Sequence, residues 1–147
     1  MKIKKAIYHS IIAECSNNPI ESGGIIGGKN NIVTEFIFDK GTDSSSIQHY
    51  FPDTEKLNAH IKHWQDNGIQ FLGIVHSHLQ DGVELSFGDT RYIETIMQAM
   101  PAYIDFLYFP VVSQQKELVS FKAVRNEYGV NIIDDDIEII DERRTES

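Results

Sequence analysis

Cysteine is almost missing from this chain: Cys15 is the only one in 147 residues. No disulfide can form within it, so a reducing cytoplasm is the expected compartment. Cys15 also lacks a neighbour that would activate a thiolate, and it reads as a half-buried structural thiol. Long apolar runs are missing too. No stretch approaches the ~20 residues that span a bilayer, so no membrane partner is expected. The start, "MKIKKAIYHSIIAEC", is basic, but Tyr8, His9 and Ser10 interrupt its apolar segment and no small-residue cleavage site follows. It reads as a helix and not as a signal peptide. Basic residues are scarce as well, 13 against 22 acids for a net charge of -9. That balance argues against a phosphate backbone as partner. There is no internal repeat and no linker.

What is present suits one soluble domain over residues 1–147, with 41% hydrophobic and 24% charged residues. A chain of this length buries roughly two thirds of its unfolded surface. Ile3, Ile7, Ile11 and Cys15 recur every four positions and predict a helix ending near "SNNP". "GGIIGG" and "NIVTEFIFDK" predict two strands around a turn at residues 28–31. "GTDSSSIQHY" reads as an irregular loop. Residues 52–66 predict a second helix with Leu57, Ile61 and Trp64 on one face, Trp64 packing inward. "GIQFLGIVHSH" predicts a buried strand and "LQDGVELS" a loop. Ile93, Ile96, Met97 and Met100 predict a third helix closed by Pro101. "IDFLYFPVVS", "ELVSFKAVR" and "NIIDDDIEII" each read as a strand, the last two turning at "NEYG". The fold class is α/β: a single domain with a mixed, mostly antiparallel sheet and about three helices. From residue 126 onward eight acids face two arginines, a net of -6. That segment reads as strands plus a short tail, with the acids guarding an edge against aggregation.

One stretch resists a purely structural reading. "FLGIVHSHLQDGVELSFGD" runs an apolar strand into two histidines, although a buried imidazole needs polar partners. In a strand, His76 and His78 point to the same face. Two convergent imidazoles can ligate one zinc, and a catalytic zinc generally takes a third protein ligand plus a water. Asp89, on the first turn of the third helix, is placed to supply it. "SFGD" also fits the S-x-x-D capping box, in which Ser86 and Asp89 only cap a helix; the two roles are compatible. A metal site that activates water also needs an acid/base. Glu21, before Gly23 and Gly24, is the candidate. His9, His60 and His63 read as surface or boundary residues, and His49 beside Tyr50 as a possible groove-lining residue.

Glu21 with "SGG", the "HSH" pair, then Ser86 and Asp89 in the order His-x-His-x7-Ser-x-x-Asp resemble the JAMM (JAB1/MPN/Mov34) metalloprotease motif, in its compact prokaryotic JAB-domain form. The resemblance covers residue 3 to about residue 121. It implies that His76, His78 and Asp89 bind one Zn2+, that Glu21 is the general base which passes the proton to the leaving amine, and that Ser86 donates to the oxyanion. Leu79 stands where the family commonly has proline, which bears on the 79–85 loop and so on substrate choice. Glu84 adds a further negative charge near Ser86 and reads as solvated.

The function this implies is a zinc-dependent isopeptidase or peptidase cleaving after the C-terminal glycine of a ubiquitin-like protein. Its partners would be that protein or its conjugates, with the tail bound as an extended strand. Two other functions fit parts of the pattern. One is a non-catalytic MPN scaffold for protein assembly, against which all the ligand types are present. The other is a RadC-like JAB protein linked to DNA metabolism, against which the acidic balance speaks. Oligomeric state is not legible.

Overall fold

The computed structural model describes residues 1–42, 50–78 and 82–141. Its elements are β1 (Lys2–Lys4), α1 (Lys5–Ser16), β2 (Gly23–Lys29), β3 (Ile32–Asp39), α2 (Thr54–Asp66), β4 (Gln70–His78), α3 (Phe87–Ala99), β5 (Phe106–Tyr108), β6 (Val111–Ser113), β7 (Leu118–Asn126), β8 (Gly129–Asp135) and β9 (Glu138–Ile140). The strands form one mixed sheet, and the three helices cover it. Across the sheet the order is β8, β7, then β5 and β6 sharing one lane, β4, β2, β3, β1 and β9. β4 runs parallel to β5 and β6, and β1 parallel to β3 and β9; the other pairs are antiparallel.

The two edges are consecutive in the chain. Only residues 136 and 137 separate β8 from β9. Laid flat, lanes about 4.8 Å apart would put these edges more than ~30 Å from each other, whereas the link between them reaches about 10 Å. The sheet therefore curls until its edges nearly meet. At the seam, Glu138 N–H donates to the Met1 carbonyl at 2.9 Å, and the Met1 ammonium lies 2.7 Å from Asp135 Oδ2.

α1 lies inside the curl. Ile11 and Cys15 pack with Ile3, Ile26, Val33, Val75, Val112 and Leu118 into one core. α2 and α3 cover the other face, where Leu57, Trp64, Ile93 and Met97 meet Ile25, Ile74, Leu107 and Phe109. The cores alternate along the strands, Ile25 and Ile74 on one side and Ile26 and Val75 on the other, as the two-residue period requires. A bulge sets the phase in β4. Ile26 pairs with Gly73 but Gly27 pairs with Phe71, which leaves Leu72 as the extra residue. Phe71 and Leu72 thus sit on opposite faces, and so do Leu72 and Ile74. Without the bulge, simple alternation from Phe71 would turn His76 and His78 toward α1.

Local chemistry explains the helix ends. Asp53 caps α2 by accepting from Lys56 N–H at 3.2 Å, and Ser86 with Asp89 closes a capping box on α3. The Arg125 guanidinium donates to the carbonyls of Met97 at 2.8 Å and Met100 at 3.3 Å, and so satisfies the orphaned end of α3. Asn30 and Asn31 both take positive φ, 54° and 59°, in the β2–β3 turn.

Several expectations change in detail. Ile3 belongs to the short strand β1 and not to the first helix, although its side chain still faces the same core as Ile11. "IDFLYFPVVS" is two short strands, because Phe109 and Pro110 interrupt the lane; Pro110 has no N–H for a ladder. "NIIDDDIEII" is likewise two strands, on opposite sheet edges. Cys15 is fully buried and not half-buried. His9 and His63 are exposed and His60 is half-buried, while Trp64 is buried at 4% exposure. His49 and Leu79 lie outside the described residues.

Candidate metal centre

β4 delivers His76 and His78 at its C-terminal end, and α3 begins opposite them. His78 Nε2 lies 2.9 Å from His76 Nε2 and 3.1 Å from Asp89 Oδ2, and His76 Nε2 lies 3.5 Å from Asp89 Oδ1. A tetrahedral cation with bonds of about 2.0–2.1 Å separates its ligand atoms by roughly 3.3 Å. The three groups, whose ligand atoms all fall within 4.8 Å of one another, fit that requirement.

The surroundings orient the ligands. His78 Nδ1 lies 2.9 Å from the Gly82 carbonyl, which can only accept, so Nδ1 carries a proton and Nε2 turns its lone pair to the centre in the neutral ring. Asp89 Oδ2 accepts from Ser86 N–H at 2.9 Å while facing His78. Helix capping and ligand positioning thus use one carboxylate. Burial alone would raise the Asp89 pKa, but hydrogen bonds from His76 and His78, the His76 charge and the Ser86 N–H hold it well below the usual carboxylate range. Burial opposes a charged His78, yet Asp89, the Gly82 carbonyl and the Glu21 charge together raise its pKa. Acceptors brought this close need a proton or a cation between them. His76, His78 and Asp89 can hold a metal ion.

Glu21 reaches the same cleft from the segment that leads into β2, the strand beside β4. Gly23 pairs with His76, Ser77 N–H donates to the Ser22 carbonyl at 2.8 Å, and Ser22 N–H donates to Ser77 Oγ at 3.0 Å. Glycine at 23 makes the approach possible: a Cβ there would sit 2.0 Å from the Val75 carbonyl oxygen and 2.8 Å from the Tyr50 ring. Glu21 is 7% exposed and lines the cleft with both histidines, Asp89 and Ser86. Ser86 Oγ accepts from Asp89 N–H at 3.1 Å, which leaves its own proton free to donate. All five residues singled out in the sequence therefore border one cleft of about 270 Å³.

Other walls were not anticipated. Phe51, Pro52 and Tyr92 also line the cleft, and Tyr50 does so without the certainty of a motif. Asp39, 1% exposed, anchors this wall: it accepts from Tyr50 Oη at 2.6 Å and from Asp53 N–H at 3.0 Å. Tyr92 could have been found, because it lies three residues beyond Asp89 on the same helix face. Asp39 gives no local signal; the fold alone brings it beside Tyr50. A larger cavity of about 490 Å³ lies between α2, the start of β4 and the segment 100–106 that follows α3, near Ile61, Phe71, Met100 and Phe106. It holds no cluster of metal-ligating side chains among the described residues.

Comparison with solved structures shows the same fold in three proteins. A solution structure from Desulfitobacterium hafniense has a TM-score of 0.71 at 21% identity, covering 96% of this chain and 93% of that one. A JAB1/MPN domain protein from Archaeoglobus fulgidus has a TM-score of 0.56 at 17% identity, over 95% and 97% of the two chains. A solution structure from Salinibacter ruber has a TM-score of 0.58 at 14% identity, over 95% and 92%. Comparison with curated proteins gives no match. Residues 4–124 match the family described as prokaryotic homologs of the JAB domain. The order of elements, the metal-competent triad and that match agree, and the chain belongs to the prokaryotic JAB-domain family.

Proposed function

We propose that this protein is a zinc-dependent isopeptidase or peptidase that cleaves after the C-terminal glycine of a ubiquitin-like protein, by deconjugation or by precursor trimming. One observation carries the reading: a buried carboxylate, Glu21, shares a cleft with His76, His78 and Asp89. His76, His78 and Asp89 would hold the zinc. Zinc in that ligand set supplies Lewis acidity, which makes water nucleophilic near neutral pH and polarises a carbonyl.

The chain's own residues do the rest. Glu21 takes the proton from the attacking water and gives it to the leaving nitrogen as the C–N bond breaks. Its burial keeps competing water away. Ser86 donates its free hydroxyl proton to the oxyanion that forms on the substrate carbonyl, a contribution of about 3 kcal/mol in comparable sites. No covalent intermediate with the protein is required. Among the described residues no helix is long and apolar enough to cross a membrane, and the working site proposed is the cytoplasm.

The test is capture from native-host lysate by zinc-loaded Glu21→Ala, followed by mass spectrometry. A small β-grasp protein ending in glycine, alone or in isopeptide linkage and enriched over wild type, is the expected result. Proteins that co-purify equally with both forms, and no such substrate, would replace this reading with a scaffold.

A further inference from the structure

The cleft is charged asymmetrically, and this bears on which amine can leave. Glu21, Glu84 and Asp89 line it, and none of its described lining residues is Lys or Arg. Two cations close in sequence to lining residues have contacts of their own. Lys56 Nζ donates to the Phe38 carbonyl at 3.0 Å and lies 3.8 Å from Asp39 Oδ1, and the Arg91 guanidinium lies 5.8 Å from the centre of the Phe87 ring. Resting on the hydrolase reading above, a divalent ion at the triad would balance Asp89 and Glu21, which leaves Glu84 as the uncompensated charge among the described lining residues.

We infer that Glu84 is a specificity residue that selects against a leaving group bearing a free carboxylate. A single amino acid released from the substrate carries its α-carboxylate about 3–4 Å beyond the scissile nitrogen. In a cleft of about 270 Å³ that group shares the space with Glu84, an exposed lining residue, and no Lys or Arg among the described lining residues can pair with it. A lysine side chain of a conjugate, or a continuing main chain, brings no such charge. The substrate class is therefore an internal or isopeptide bond, and not the bond to a terminal amino acid.

The test uses two N-terminally fluorescein-labelled peptides that end in Gly-Gly-Ala, one with a C-terminal amide and one with a free carboxylate. Each is titrated with zinc-loaded wild type and zinc-loaded Glu84→Gln, and mass spectrometry shows whether it stays intact. Intact peptides give a ratio of Kd by fluorescence anisotropy, and cleaved peptides give a ratio of kcat/KM. The amide is expected to be preferred about tenfold by wild type, and by threefold or less in Glu84→Gln. Equal ratios in wild type, preference for the acid, an unchanged gap in Glu84→Gln, or no binding of either peptide would each overturn the inference. Equal cleavage of both peptides sinks this inference and keeps the hydrolase. The expected Kd ratio with no cleavage keeps the inference and sinks the hydrolase.

Discussion

The two faces of β4 carry opposite kinds of buried polarity. Toward α1 the strand presents Val75 and Ser77, inside a curl of sheet that encloses the helix. The lone thiol, Cys15, lies on this face fully buried, and burial pushes its pKa up to about 12. Toward α2 and α3 the same strand presents Ile74, His76 and His78, and the helices leave a gap at its end. The residue with the greater intrinsic nucleophilicity is thus the inert one. What makes a site here is convergence of lone pairs at an opening in the layer, not the reactivity of a side chain taken alone. Size is no better guide, since the larger apolar cavity on the helix-covered side gathers no metal ligands among the described residues.

The sharpest way to break this comparison is to disable one polar group on each face. Glu21→Gln is expected to lower kcat by 10²–10⁴-fold, the range for loss of a positioned acid/base, with zinc content unchanged by elemental analysis. Cys15→Ala should leave kcat within about twofold. Loss of activity in Cys15→Ala at full folding and zinc occupancy would mean that the sealed face contributes to the chemistry.

Metal binding sharpens it next. Zinc at a thousandfold excess over its Kd should raise unfolding free energy by about 4 kcal/mol, and a chelator should reverse this. His78→Ala should abolish the zinc-dependent gain in a denaturant titration. A gain that persists in His78→Ala would place the ion elsewhere. Gly23→Ala probes the backbone that joins the faces. Its Cβ would meet the Val75 carbonyl at 2.0 Å, and a loss of about 2–4 kcal/mol is expected from the displaced β2–β4 pairing. Gly82→Ala, with no atom of the described residues within 4 Å of its Cβ, is the control and should change stability by less than about 0.5 kcal/mol.

Much of this comparison was legible in the residues. The period of two in "HSH" put both imidazoles on one face, and Ser86 with Asp89 announced the start of α3. The capping signal and the ligand signal proved to be one geometry, because Asp89 Oδ2 meets both Ser86 N–H and His78. Which face the histidines take was not legible. That depends on the extra residue at Leu72, and the one local hint, Gly73 inside the strand run, marks a bulge or a close approach without saying which residue is extra. The split of "NIIDDDIEII" was hidden for a related reason: the break at residues 136 and 137 follows from closure of the whole sheet, a property no local pattern carries. The wall built on Asp39 depends on contacts between β3 and the start of α2, and distant pairing of that kind has no local signature either.

The last expected effect tests the sealed face directly. Cys15 ionises ordinarily at 9.0, and in the folded protein burial, chiefly, moves it to about 12. Between these values the unfolded chain has lost a proton that the folded chain keeps, so folding stability falls as pH rises. The contribution is fully present below pH 9.0 and is lost toward about 12, at a limiting slope of about 1.4 kcal/mol per pH unit. Tyr50, Tyr92 and Tyr108 are also shifted upward, chiefly by burial, so wild type alone would mix four groups. The difference between wild type and Cys15→Ala isolates the thiol. Wild type should be the more stable at pH 8, and the gap should narrow steadily between pH 9 and 11 in urea titrations. A gap that stays constant over that range would mean that water reaches Cys15, and the inside of the curl would then be open like the face that carries the histidines.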